Sequence, residues 1–157
     1  MRRSDREVTD FGELIAIMEK CDVCRLGLNQ EGYPYLLPLN FGMKVEGESV
    51  ELYFHGADEG RKYDLIEADP RASFEMDCEH RLVLDEEKGS CTMEYESVIG
   101  RGHIEFVPDE EKREALGLLM RHYREETFPY GEAAVPRTRV MKLVVESMTG
   151  KRRKKSR

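Results

Sequence analysis

Leu52-Tyr53-Phe54-His55-Gly56-Ala57-Asp58-Glu59-Gly60-Arg61-Lys62 is a strand that runs through small residues into a helix. Val50, Leu52 and Phe54 alternate with Glu51, Tyr53 and His55, the period of a strand that turns one face to a core and projects His55 from the other. A short helix is predicted from about Gly60 to Ala68, stopped at Asp69-Pro70 because a residue before proline is biased away from helical angles. Its first turn carries Arg61 and Lys62. Free N–H groups already make a helix start partly positive, so two cations there are locally unfavourable unless an anion compensates. A phosphate dianion is one such anion. Two solvated surface cations are the other reading that the residues allow.

Outward from this stretch, Phe11, Leu14, Ile15 and Met18 share one helical face, with Thr9 or Asp10 as cap and Glu13 completing the N-cap pattern. Val23 to Leu28, the turn Asn29-Gln30-Glu31-Gly32 and Tyr33 to Lys44 read as a hairpin. Beyond the short helix, Arg71 to Asp77 is extended, Glu79 to Gly89 is charged with Asp85-Glu86-Glu87-Lys88-Gly89 as an exposed turn, and Ser90 to Phe106 is a long strand. Gly100 and Gly102 mark a bulge within it. Pro108 opens a helix with Leu116, Leu119, Met120 and Tyr123 on one face, a loop covers Phe128 to Pro136, and Arg139 to Ser147 is a last strand. Val140 to Val145 is apolar on both faces and needs cover on both. Turns this short favour antiparallel pairing, so the prediction is a mainly β protein, an antiparallel barrel with added helices.

The 157 residues suit one domain, here residues 1–150, followed by a tail at 151–157 expected to be disordered. That tail holds six of the 25 basic residues, and without them residues 1–150 carry 19 basic against 32 acidic groups. Such a body repels nucleic acid, which is not an expected partner. No apolar run approaches the ~20 residues that cross a bilayer, and no export segment follows Arg2 and Arg3. The expected compartment is the cytoplasm. Cys21, Cys24, Cys78 and Cys91 would be reduced there.

Several constellations fail on their own chemistry. Cys21-Asp22-Val23-Cys24 with Cys78 and His80 could supply zinc ligands only if the fold gathered them, and no metal site is expected. His103-Ile104-Glu105 lacks the downstream cysteine pair of zinc deaminases, and Gly100-Arg101-Gly102 lies inside a strand rather than at a Rossmann turn.

The opening stretch, continued as Tyr63-Asp64-Leu65-Ile66-Glu67-Ala68-Asp69-Pro70-Arg71, resembles the FMN-binding segment of the pyridoxamine 5'-phosphate oxidase-like split-barrel proteins. Tyr33-Pro34-Tyr35-Leu36-Leu37-Pro38-Leu39-Asn40-Phe41 upstream and Tyr95-Glu96-Ser97-Val98-Ile99-Gly100-Arg101-Gly102 downstream fit the same family, in particular its nitroimidazole-resistance branch. The resemblance implies a split barrel of about six strands with two to three helices, assembled as a homodimer with flavin mononucleotide (FMN) at the subunit interface. It implies that Arg61 and Lys62 bind the FMN phosphate, that His55 and Gly56 follow the ribityl arm, and that Pro38, Leu39, Asn40 and Phe41 line the flavin edge. Ser97 and Val98 would come from the other subunit. The implied activity is FMN-dependent reduction of a small, nitroaromatic-like acceptor with electrons from a nicotinamide cofactor. A protein that binds or senses FMN, haem or a deazaflavin without turnover is the alternative. Gly60 stands where oxidase members commonly have serine, Asp69 replaces an asparagine, and the chain lacks tryptophan and the oxidase's C-terminal substrate-binding sequence. Oxidation of pyridoxamine phosphate itself is therefore not expected.

Overall fold

A computed structural model describes residues 3–123 and 133–154. A two-residue strand, β1 (Glu7–Val8), precedes helix α1 (Phe11–Met18), whose N-cap is Asp10, its Oδ1 accepting the Glu13 N–H at 2.9 Å. Leu14, Ile17 and Met18 are the buried face. Each contributes on the order of 2 kcal/mol on burial, and an eight-residue helix needs that packing because its own hydrogen bonds do not sustain it.

Strands β2 (Cys24–Leu28), β3 (Tyr35–Leu39), β4 (Gly42–Glu46) and β5 (Ser49–Ala57) follow, then α2 (Arg61–Ala68). The rest is β6 (Arg71–Asp85), β7 (Ser90–Phe106), α3 (Lys112–Tyr123) and β8 (Thr138–Arg153). All pairings are antiparallel, in the order β3-β2-β6-β7-β8-β5-β4, with β1 on β8 beyond the end of β5. This is a split barrel with an open sheet. Its two ends are β3 and β4, neighbours in the chain, and the seam between them is bridged by Asn40 and Phe41.

The main core gathers Ile17, Met18, Leu26, Leu28, Phe41, Leu52, Phe54, Met76, Met141 and Leu143. A second cluster sits under α3, where Leu116 and Leu119 meet Tyr53, Val107 and Val140. The bulge lies where predicted, with the β7–β8 register shifting between Arg101 and Gly102. A Cβ on Gly102 would stand 1.9 Å from the Val144 carbonyl oxygen, a separation that only glycine permits.

Five expectations are corrected. The strand predicted from Tyr33 to Lys44 is two strands, because the chain changes partner from β2 to β5 at the seam. The extended run from Arg71 does not end at Asp77: β6 continues to Asp85 and pairs with β7 as a two-stranded ribbon, and the turn comes at 86–89, within the predicted Asp85 to Gly89. Helix α3 starts at Lys112 rather than Pro108, after a turn in which the Glu111 N–H bonds the Pro108 carbonyl. Val140 and Tyr53 are covered by the chain's own α3, so the apolar faces of β8 need no second subunit at Val140. The basic tail is ordered through Lys154: β8 runs to Arg153, and Arg152 Nε and Lys154 Nζ reach the buried Glu96 carboxylate at 2.7 and 2.9 Å, where Lys20 also pairs with it. The loop predicted from Phe128 lies outside the described residues up to 132. Among the described residues, no helix is long and apolar enough to cross a membrane.

Candidate functional site

The last residues of β5 and the first turn of α2 form a compact cationic cradle. Gly60 is the N-cap at φ 142°, a backbone conformation that favours glycine, and it offers no side chain to the helix N–H groups. The Tyr63 N–H turns back to the Gly60 carbonyl at 2.9 Å, and no side chain caps the N–H groups of Arg61 and Lys62. Lys62 folds back over the strand: a Cβ on Gly56 would lie 2.9 Å from Lys62 Nζ and 2.9 Å from the Tyr63 hydroxyl oxygen. The missing side chain is therefore the space that the ammonium occupies. Tyr63 is fixed by its O–H donating to the Ala57 carbonyl at 2.6 Å, and Lys62 Nζ lies 4.3 Å from its ring centroid. Among the described residues no carboxylate pairs with Lys62. Arg61 donates to the Gln30 side chain at 3.2 Å.

A third cation joins them from β8. Arg139 pairs with Gly56 in the ladder, and its guanidinium stands 4.5 Å from the Tyr63 ring and 3.9 Å from the Phe106 ring, with Glu67 at 2.8 Å. Arg139, Tyr63 and Phe106 were not legible as a group, because a cross-strand pairing brings together residues far apart in sequence. His55 lies beside this cluster with its side chain reaching the surface, and partial desolvation of the ring, then the Lys62 charge, lower its pKa.

The seam points at the same end of the sheet. Gly42 of β4 pairs with Tyr53, so continuing that ladder carries the chain past Phe41 to Asn40 as β5 reaches His55. Asn40 and Pro38 are exposed and Leu39 half-buried. Phe41 is fully buried, its N–H donating to the Tyr123 hydroxyl at 3.1 Å and its ring 4.2 Å from that of His122. Its backbone and packing hold the seam, whereas its side chain is part of the core.

The sequence profile described as pyridoxamine 5'-phosphate oxidase matches residues 10–152. The chain belongs to that family. A candidate 5-nitroimidazole antibiotic resistance protein from Bacteroides thetaiotaomicron is 35% identical over 92% of this chain and 85% of its own, with a TM-score of 0.80, which fits the nitroimidazole-resistance branch. Two further structures share the fold: a flavocytochrome from Azotobacter vinelandii (21% identity, 99% and 72% coverage, TM-score 0.79) and an FAD- and haem-binding protein from Mycobacterium smegmatis (18%, 96% and 74%, 0.80). A search of curated proteins found no match.

Within this family frame, Ser97 and Val98 lie apart from the cradle. Val98 is fully buried in the main core between Met76 and Gly150, so its side chain is closed to a ligand. Ser97 is half-buried, and nine residues of β7 separate it from Phe106, roughly 30 Å at ~3.3 Å per residue. The cradle thus stands at the Phe106 end of β7 and Ser97 of the same chain near the middle of that strand. The remaining histidines are engaged elsewhere: His80 with Asp77, His103 with Glu105 and Glu146, and His122 with the Cys21 carbonyl. Among the described residues, no group of three or more His, Cys, Asp or Glu gathers to hold a metal ion.

Proposed function

We propose that this protein binds FMN at the α2 cradle and acts in the cytoplasm as an FMN-dependent oxidoreductase on a small, nitroaromatic-like acceptor, with a nicotinamide cofactor as electron source. The observation that carries the reading is the Gly56–Gly60 cradle. It combines uncapped helix N–H groups, the adjacent cations Arg61 and Lys62, and a backbone that only glycine leaves open. This donor set suits a phosphate dianion, through charge-assisted hydrogen bonds from both side chains and the field of the helix start. FMN would supply the two-electron chemistry, and the protein would supply placement and electrostatics.

Arg61 and Lys62 neutralise the phosphate, while the packed Tyr63 and Arg139 keep Lys62 in place. His55, beside the phosphate arm, can exchange a hydrogen bond with it, and its lowered pKa favours the uncharged ring. Asn40 and the backbone of Pro38 to Phe41 face the ring edge from the seam. The distance along β7 supports a site completed by Ser97 of a partner subunit, since one chain does not bring Ser97 to its own cradle. The relative from B. thetaiotaomicron supports the choice of acceptor class.

The test is the absorbance spectrum of the purified protein together with FMN titration of Arg61→Ala/Lys62→Ala. Flavin bands and at least a 100-fold loss of FMN affinity in the double variant are expected. Unchanged affinity would remove the phosphate assignment. Bound flavin that neither NADH nor NADPH reduces, with or without a nitroaromatic acceptor, would favour a binding or sensing role over turnover.

A further inference from the structure

Cys21 follows the turn that ends α1, and Cys78 lies in β6 opposite Glu96. Their sulfurs converge on one acceptor, the Ile17 carbonyl oxygen, at 3.3 and 3.8 Å. The residues beside them are irregular. The β6–β7 register shifts between Cys78 and Arg81, and Glu79, next to Cys78, has φ 58°, unusual for a residue with a side chain. Cys21 is in neither helix nor strand. Both backbones can therefore make the small adjustment that disulfide geometry demands, which regular elements resist.

We propose that Cys21 and Cys78 form a reversible dithiol–disulfide site that responds to hydrogen peroxide, a modification independent of the flavin site. The two thiols are unequal. Burial raises the pKa of both; at Cys78 the Glu96 and Glu79 charges add to burial while the Lys20 ammonium opposes it, whereas at Cys21, the more buried of the two, the Cys78 charge adds to burial with no cation opposing it. Cys78 is also the half-exposed member, while Cys21 is buried. Cys78 is thus the attacking thiol: its thiolate displaces hydroxide from peroxide as the O–O bond breaks, leaving a sulfenic acid. The Cys21 sulfur then attacks the Cys78 sulfur, loses its proton and expels the second oxygen as water. Two thiols and one peroxide become one disulfide and two waters, and an external dithiol reverses the change.

The bond would tie the end of α1 to β6 at a point wired to the seam. The Cys21 carbonyl accepts from His122, and the next carbonyl, of Asp22, accepts the Tyr123 O–H at 2.7 Å, while that same hydroxyl receives the Phe41 N–H. Cys24, buried in the core, and Cys91, exposed on the β6–β7 ribbon, have no such neighbour and serve as internal controls.

The experiment treats reduced protein with a small molar excess of hydrogen peroxide, alkylates it under denaturing conditions and maps the peptides by mass spectrometry. Loss of two of the four alkylatable thiols is expected, with a Cys21–Cys78 linked peptide that dithiothreitol abolishes. The link should persist in Cys91→Ser, and in Cys21→Ser the Cys78 sulfur should instead advance to sulfinic acid. Four thiols still free, a disulfide only between Cys91 residues of two copies, or the same Cys78 oxidation in wild type and Cys21→Ser overturns the proposal. Circular dichroism of Cys21→Ser before oxidation confirms that the comparison is made on folded protein.

Discussion

Gly56 is the residue on which the cradle depends most directly. Adding one methyl there places carbon 2.9 Å from both Lys62 Nζ and the Tyr63 hydroxyl, so the flexible lysine must swing away. Gly56→Ala should therefore weaken FMN binding about 10-fold, roughly 1.4 kcal/mol, with little change in the far-ultraviolet circular dichroism. Undiminished affinity would mean that Lys62 does not act from this position. Glu96 makes a separate prediction, about stability. Burial works to raise its pKa, but hydrogen bonds from Lys154 and Lys20 and the Arg152 charge prevail and lower it from 4.5 to about 2. A carboxylate depressed in the folded state contributes stability that is complete above its unfolded pKa and is lost as pH falls toward the folded one. Denaturant titrations of Glu96→Gln should show a protein less stable at pH 7 by on the order of 2 kcal/mol, with a flatter stability profile between pH 4.5 and 2 than wild type. At this scale the sequence was partly legible. Arg61 and Lys62 stood out because they violate the local preference of a helix start, whereas Arg139 carries no such local conflict. The basic run near the C-terminus looked solvated because Glu96, which Arg152 and Lys154 reach, lies some 55 residues upstream.

Among the elements, the seam between β3 and β4 depends on α3. Tyr123, in its last turn, donates to the Asp22 carbonyl and accepts the N–H of buried Phe41, so one hydroxyl joins the end of α1, the seam and α3. Tyr123→Phe leaves that N–H without its partner, and a loss of about 1–2 kcal/mol in unfolding free energy is expected by urea titration. A change under a few tenths of a kcal/mol would show that water replaces the hydroxyl. Elements with a clean period were read well: α1, β5 and α2 begin and end close to where the pattern and caps placed them. Periodicity misled where burial did not follow it. The extended pattern stops at Asp77 for that reason: Arg81 to Asp85 pairs with β7 as a ribbon whose Leu82, Leu84 and Met93 are exposed, so the alternation of a half-buried strand never arises. The break at Asn40 was likewise hidden, since β3 and β4 are both extended and differ only in which strand they pair with.

For the whole molecule, the proposed shared site requires two copies. A solution mass near twice 18.2 kDa is expected, and a species of 18.2 kDa alone that still binds FMN would rule out a site completed by Ser97 of a partner. The fold class was legible because short turns and antiparallel patterning leave few alternatives, while the closing geometry was not, because it depends on pairings between distant strands. Strand β8 shows what those pairings entail. It meets β7 along one side and β5 and β1 along the other, so the last strand among the described residues touches segments reaching back to Glu7. Until residue 153 has been synthesised, β7 and β5 each lack a neighbour, and the earlier chain presents two unsatisfied edges to anything extended nearby. A nascent chain that has not yet reached β8 thus exposes strand edges of the kind that invite pairing with other extended chains. By the same logic, a version cut between residues 132 and 138 should be rescued by adding β8 as a separate peptide, a complementation pair made by the order of translation.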